Sequence, residues 1–249
     1  INNLYIEVCL IDGSENAGAV SGINNGTVSN AVVSLKGSIN APDAGAVSGN
    51  NNGTVTTPIV YIDGVLHADE NAGGIVGKNS GSINKPFVTV NDKGSIISDM
   101  LAGGIVAYNT GSITEPTIIF NGKIKAASAG LIVGESTTDL ANCTISGSGT
   151  VFGADKAGGI ISKMNGINIS DCVVEGITIR GSGDIGGIAG DITGGLVENA
   201  EVKDVMLEAG DSTVSIGGIA GRISVGENAD KLWNNRTGVY QGVYKSNVE

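Results

Sequence analysis

Gly73-Gly74-Ile75-Val76-Gly77-Lys78-Asn79-Ser80-Gly81-Ser82-Ile83 is one copy of a pattern that fills this chain. Its first glycine has counterparts at Gly18, Gly45, Gly103, Gly130, Gly158, Gly186 and Gly217. The pattern thus occurs eight times, at gaps of 27, 28, 30, 27, 28, 28 and 31 residues. A nearly fixed period of this size belongs to a stacked array of small units rather than to a globular core.

Working outward from the glycine, each copy places apolar residues at repeated offsets. Two residues on stand Val20, Val47, Ile75, Ile105, Ile132, Ile160, Ile188 and Ile219. Fifteen residues on stand Val33, Val60, Val88, Ile118, Ile145 and Val173, and twenty-one on Ile39, Leu66, Ile124, Val151, Ile179 and Leu207. Locally the pattern alternates, as in Val88-Thr89-Val90, which is strand rather than helix periodicity. Asn-x-Gly recurs at Asn24–Gly26, Asn51–Gly53, Asn79–Gly81 and Asn109–Gly111. Asn and Gly tolerate positive φ, so a sharp corner is expected there. Phe87, Phe120 and Phe152 are expected to fill the core.

These features predict an all-β, single-domain parallel β-solenoid of about eight coils of ~28 residues, with three short strands per coil. A right-handed β-helix is the expected form. The repeat domain covers residues 1–227, with a partial first coil at 1–16. Residues 228–249, with Trp233, Tyr240 and Tyr244, read as a C-terminal cap or the start of a following segment. The opening residues read as the second half of a coil, which implies a processed chain or a piece of something longer.

Composition bounds the function. The formal net charge is −11 and the 14 basic residues are scattered, which argues against a nucleic-acid partner. No apolar run approaches the roughly 20 residues of a spanning helix, so no membrane insertion is expected. Cys9, Cys143 and Cys172 lack metal-site spacing. Cys143 and Cys172 are about a coil apart and read as buried thiols stacked in an inward column. A disulfide between them fits that separation but is not required for stability.

The stretch Gly73 to Ile83 resembles the GLUG repeat, whose pattern is Gly-Gly-Leu-Val-Gly, one residue, Asn, one residue, Gly, one residue, Ile. Ala44 to Val55 and Ala102 to Ile113 follow the same line. Asn142 to Gly147 and Asp171 to Gly176 resemble the family's polar-Cys-strand-Gly run. The later copies depart from it: Ser136, Met164, Ile192 and Ile223 replace the Asn. The resemblance runs to about Gly226. It implies a surface or secreted module, similar to bacterial adhesins and to non-catalytic regions of IgA-specific metallopeptidases. The zinc chemistry of those peptidases needs His-Glu-x-x-His, and this chain has one histidine, His67.

Other chemistry is weakly signalled. Gly181-Ser182-Gly183-Asp184-Ile185-Gly186 spells a dinucleotide fingerprint, but that motif works only between a strand and a helix, and another glycine-anchored strand follows here. Asp43, Asp69, Asp99, Asp155 and Asp184 fall just before anchoring glycines and would form an acidic edge. That edge reads as a solvated rim, and as a calcium-binding one only if carbonyls and water complete the six to eight oxygens the ion takes. No other cofactor is implied. The expected function is a non-catalytic, adhesin-like binding surface or rigid stalk, extracellular or at the cell surface. Its partner would be a glycan or protein on a host or neighbouring cell. The alternative is a carbohydrate-active β-helix, a polysaccharide lyase or glycoside hydrolase, with Tyr61, Tyr108 and Trp233 as aromatics for sugar.

Overall fold

The computed structural model describes residues 1–210, 214–224 and 240–245. It is a parallel β-solenoid, and the described residues contain no helix. One coil shows the plan. After the anchor Gly45 the chain runs through Ser48–Asn51, Thr54–Thr56, Ile59–Ile62 and Val65–Gly73, then repeats from Val76–Asn79. Strands of successive coils pair in parallel, near 4.8 Å apart as in any sheet. Three faces result. The first stacks eight strands in sequence order, from Ser21–Asn24 to Ala220–Ile223. The second is narrow. The third, the long sheet, contains both remaining segments of each coil.

The apolar offsets map onto these faces, with two corrections. The residues two beyond the anchor are not strand residues. Val47, Ile75, Ile105 and Ile132 sit in the bend entering the first face, where their fully buried side chains fill the corner of the core. The second face is instead lined by Val55, Ile83, Ile113, Leu140 and Ile169. The other correction is a shift of register. Val174, not Val173, stacks on Ile145 and is buried, because the corner before Ile169 carries an extra residue.

The anchoring glycines are required by close approach. A Cβ on Gly73 would lie 1.8 Å from the carbonyl oxygen of Val76, and one on Gly103 would lie 1.8 Å from that of Val106. No anchor has positive φ. The chain folds back so sharply at the end of the long sheet that no side chain fits.

The Asn-x-Gly motif marks the sharp corner expected of it, where the first face gives way to the second, and its asparagine has a further job. Its asparagines do not adopt positive φ. They point inward and form a buried ladder. Asn24 Nδ2 donates to Asn51 Oδ1, Asn51 to Asn79 and Asn79 to Asn109, each at 2.7 Å. Asn51, Asn79 and Asn109 each also donate to the carbonyl oxygen of their own motif's glycine, as Asn109 Nδ2 does to Gly111 O at 3.0 Å, whereas Asn24 Nδ2 reaches Thr54 O in the next coil at 3.3 Å. The left-handed corner lies further on, at Asn3, Asn30, Thr57, Lys85, Glu115, Asn142, Asp171 and Asn199, with φ between 47° and 55°.

Where the Asn is lost, the second face breaks. In the earlier coils a backbone N–H takes the glycine carbonyl below, as Ser112 N–H does with Gly81 O at 2.9 Å. In the next coil the Thr138 hydroxyl takes Gly111 O instead, at 2.6 Å. The strand ladder stops at Ser112–Thr114 and resumes as a separate sheet from Leu140–Ala141. At the far end, Tyr240–Lys245 pairs in parallel with Glu201–Ala209 and adds a strand to the long sheet. Trp233 and most of 228–249 lie outside the described residues.

Candidate binding faces

The acidic residues do not form one stripe. Asp43 and Asp184 share a stacked position, but between them the register runs through Asn71, Leu101, Ser128 and Lys156. Both are buried, at 8% and 5% exposure, and both are ion-paired. Asp43 receives Asn71 Nδ2 at 2.8 Å and Lys78 Nζ at 3.0 Å. Asp184 receives Arg222 Nε at 3.2 Å. In each pair the base sits five residues past its anchor and reaches back to the preceding coil, so one device occurs twice. Asp69, Asp99 and Asp155 are exposed in the bulged part of the long sheet. Among the described residues, no group of three or more His, Cys, Asp or Glu side chains is placed to hold a metal ion.

The fingerprint at Gly181–Gly186 joins strand Thr178–Gly181 to strand Asp184–Gly186, so no helix N-terminus is present to receive a phosphate.

Lys78 and Arg222 belong to an outward ladder on the first face. In register it reads Ile23, Asn50, Lys78, Tyr108, Glu135, Lys163, Asp191 and Arg222, of which Asp191 is buried. Tyr108, Glu135, Thr137, Lys163 and Asn165 line a shallow depression there. It brings an aromatic ring, a carboxylate and an ammonium together across three coils.

The long sheet carries a different outer surface. On Ile59–Ile62, Phe87–Val90 and Thr117–Phe120 alternate residues are buried, and the others face out. The outward set is Ile59 and Tyr61, then Phe87 and Thr89, then Thr117 and Ile119, paired in register. Tyr61 is 40% and Ile119 37% exposed. Phe87 is therefore not a core filler, and neither is Phe152, which is half-buried in the column of His67, Ile97 and Lys125. Phe120 alone of the three is fully buried. Among the described residues, no strand-to-strand connection on this face is long enough to build a wall beside the patch. It is a flat, uncharged platform on which rings, methyls and hydroxyls alternate.

Sequence reasoning missed this platform. The signal was present in the period-two alternation, which assigns Tyr61 and Phe87 to the face opposite Val60 and Val88. Cys143 and Cys172 are both free, buried and stacked as expected.

No family model matches the chain, and no curated protein or solved structure matches it.

Proposed function

We propose that this chain is a non-catalytic repeat domain of a bacterial cell-surface or secreted protein. In this reading a stiff rod presents the outer face of its long sheet to a glycan or protein on a host or neighbouring cell. The observation that carries it is the platform of Ile59, Tyr61, Phe87, Thr89, Thr117 and Ile119 on three adjacent strands. Contiguous exposed apolar surface is a mark of interaction sites. Aromatic anchors dominate binding energy where they occur. Here they sit on a rigid element rather than a loop, so little entropy is lost on binding. The GLUG-like pattern of Gly73 to Ile83 supports the same class of protein. The test is binding to immobilised glycans and extracellular proteins, with Tyr61→Ala as the variant expected to lose it.

A second reading is favoured by the depression on the first face. Tyr108 offers a ring for sugar, Glu135 a carboxylate and Lys163 a base of the kind a polysaccharide lyase uses, whereas a glycoside hydrolase needs a second carboxylate that the depression does not hold among the described residues. Under that reading Glu135→Gln abolishes product release from a polysaccharide. Under the binding reading no product forms with either protein.

A further inference from the structure

Cys143 and Cys172 occupy equivalent places on successive coils. The residues that follow them, Thr144 and Val173, are paired in register, and Val173 N–H donates to Cys143 O at 2.8 Å. In-register neighbours on parallel strands lie about 4.8 Å apart, within the Cα separation of roughly 4.4–6.8 Å that a disulfide spans. The sulfur of Cys172 already lies against the other cysteine, whose N–H donates to it at 3.4 Å. Each thiol otherwise donates to the carbonyl two residues back, Cys143 to Ala141 at 3.8 Å and Cys172 to Ser170 at 3.0 Å. Elsewhere in this column stand Ala31, Pro58, Pro86, Pro116 and Ala200. Packing there asks for a small apolar group, which cysteine supplies; what sets this pair apart is that its two sulfurs stand on adjacent coils.

We propose that Cys143 and Cys172 form a disulfide in oxidising surroundings, a covalent clamp between neighbouring coils. The clamp lies where the second-face bonding is short. The asparagine ladder has ended at Asn109, and the second-face strands Leu140–Ala141 and Ile169–Ser170 are two residues each.

The chemistry is thiol–disulfide exchange with a small-molecule disulfide such as oxidised glutathione. Cys172 thiolate attacks one sulfur of the reagent and releases one thiolate, leaving a mixed disulfide. Cys143 then loses its proton and attacks Cys172 Sγ, expelling the second thiol. The protein dithiol loses two electrons and two protons, and the reagent becomes two thiols. The neighbouring Cys143 thiol, with the Cys143 N–H, holds the Cys172 thiol below its ordinary pKa, while the contact with the Cys172 sulfur and burial hold the Cys143 thiol well above. The Cys143 N–H aimed at Cys172 Sγ at 3.4 Å stabilises a thiolate there, which makes Cys172 the attacking group. Because the pair is buried, exchange proceeds through local opening of a coil.

The test uses the full chain carrying Cys9→Ser, incubated with oxidised glutathione, alkylated in denaturant and mapped by mass spectrometry. The expected product is a peptide pair joined through Cys143 and Cys172 and lacking the two thiol hydrogens. Amide exchange at Leu140–Ala141 and Ile169–Ser170 is then slower, and dithiothreitol reverses the change. Cys172→Ala, which introduces the residue this column holds at Ala31 and Ala200, gives neither link nor slowing. Free alkylated thiols, or a glutathione adduct without the link, overturn the proposal. A link that leaves exchange unchanged overturns the clamp.

Discussion

At the scale of single residues, the buried asparagines carry more of the fold than their polarity suggests. Asn79 gives its amide to Asn109 and accepts that of Asn51. Asn79→Ala leaves a buried donor on one side and a buried acceptor on the other. Such orphaned groups cost about 1–3 kcal/mol each, so the variant is expected to lose about 2–4 kcal/mol by denaturant unfolding. Asn50→Ala on the outward ladder serves as the control and is expected to stay within about 0.5 kcal/mol of the parent. Asp63 gives a pH-dependent counterpart. Hydrogen bonds from Lys36 Nζ at 2.6 Å and Asn91 Nδ2 at 2.5 Å hold its carboxyl below the ordinary value. A depressed folded-state pKa means a contribution fully present above the unfolded value and lost as pH falls through the folded one. Asp63→Asn should therefore be less stable than the parent at neutral pH, and the gap should close below about pH 4. A gap independent of pH would refute the assignment.

At the scale of the element, the coil is decided at its corners. Gly73→Ala puts a methyl group 1.8 Å from Val76 O, and backbone on both sides cannot yield. A loss of more than about 3 kcal/mol, or failure to fold, is expected by thermal unfolding. The left-handed corner offers the opposite change. The chain puts Asn there at Asn3, Asn30, Asn142 and Asn199 but a β-branched residue at Thr57, with φ of 47°. Thr57→Asn is expected to stabilise by about 1 kcal/mol, since Asn tolerates this conformation and Thr does not. The coil was legible in the sequence because its glycines and inward aliphatics are each the sole residue type that fits. The corner was not, because Asn3, Thr57, Lys85 and Glu115 share a backbone angle but no chemistry. The Asn-x-Gly motif marked its corner but not the backbone angle or the ladder, because asparagine serves turns and buried amide ladders equally well and only the register tells them apart.

At the scale of the molecule, each coil touches only its neighbours, so stability is a sum of local interfaces. The ladder-bearing coils around Asn51 and Asn79 should exchange their amides more slowly than those around Leu140 and Ile169, where the second face is split and short. The flat outer platform was within reach of the sequence, since alternation alone sends Tyr61 and Phe87 outward. What hid it was the need to know which strands are adjacent: Tyr61, Phe87 and Ile119 are far apart in the chain and meet only through the coil period. The acidic edge failed for the same reason in reverse, because residues just before each anchor fall on different sides of a bulge. The central claim is that this rod binds through its flat face and does no chemistry. The measurement that tests it most directly is retention on an array of glycans and extracellular proteins, with and without calcium, with any bound glycan followed by mass for product release. The account predicts retention that is independent of calcium, releases no product and is lost in Tyr61→Ala at an unchanged unfolding midpoint. Cleavage of a bound glycan, or retention untouched by that substitution, would contradict it.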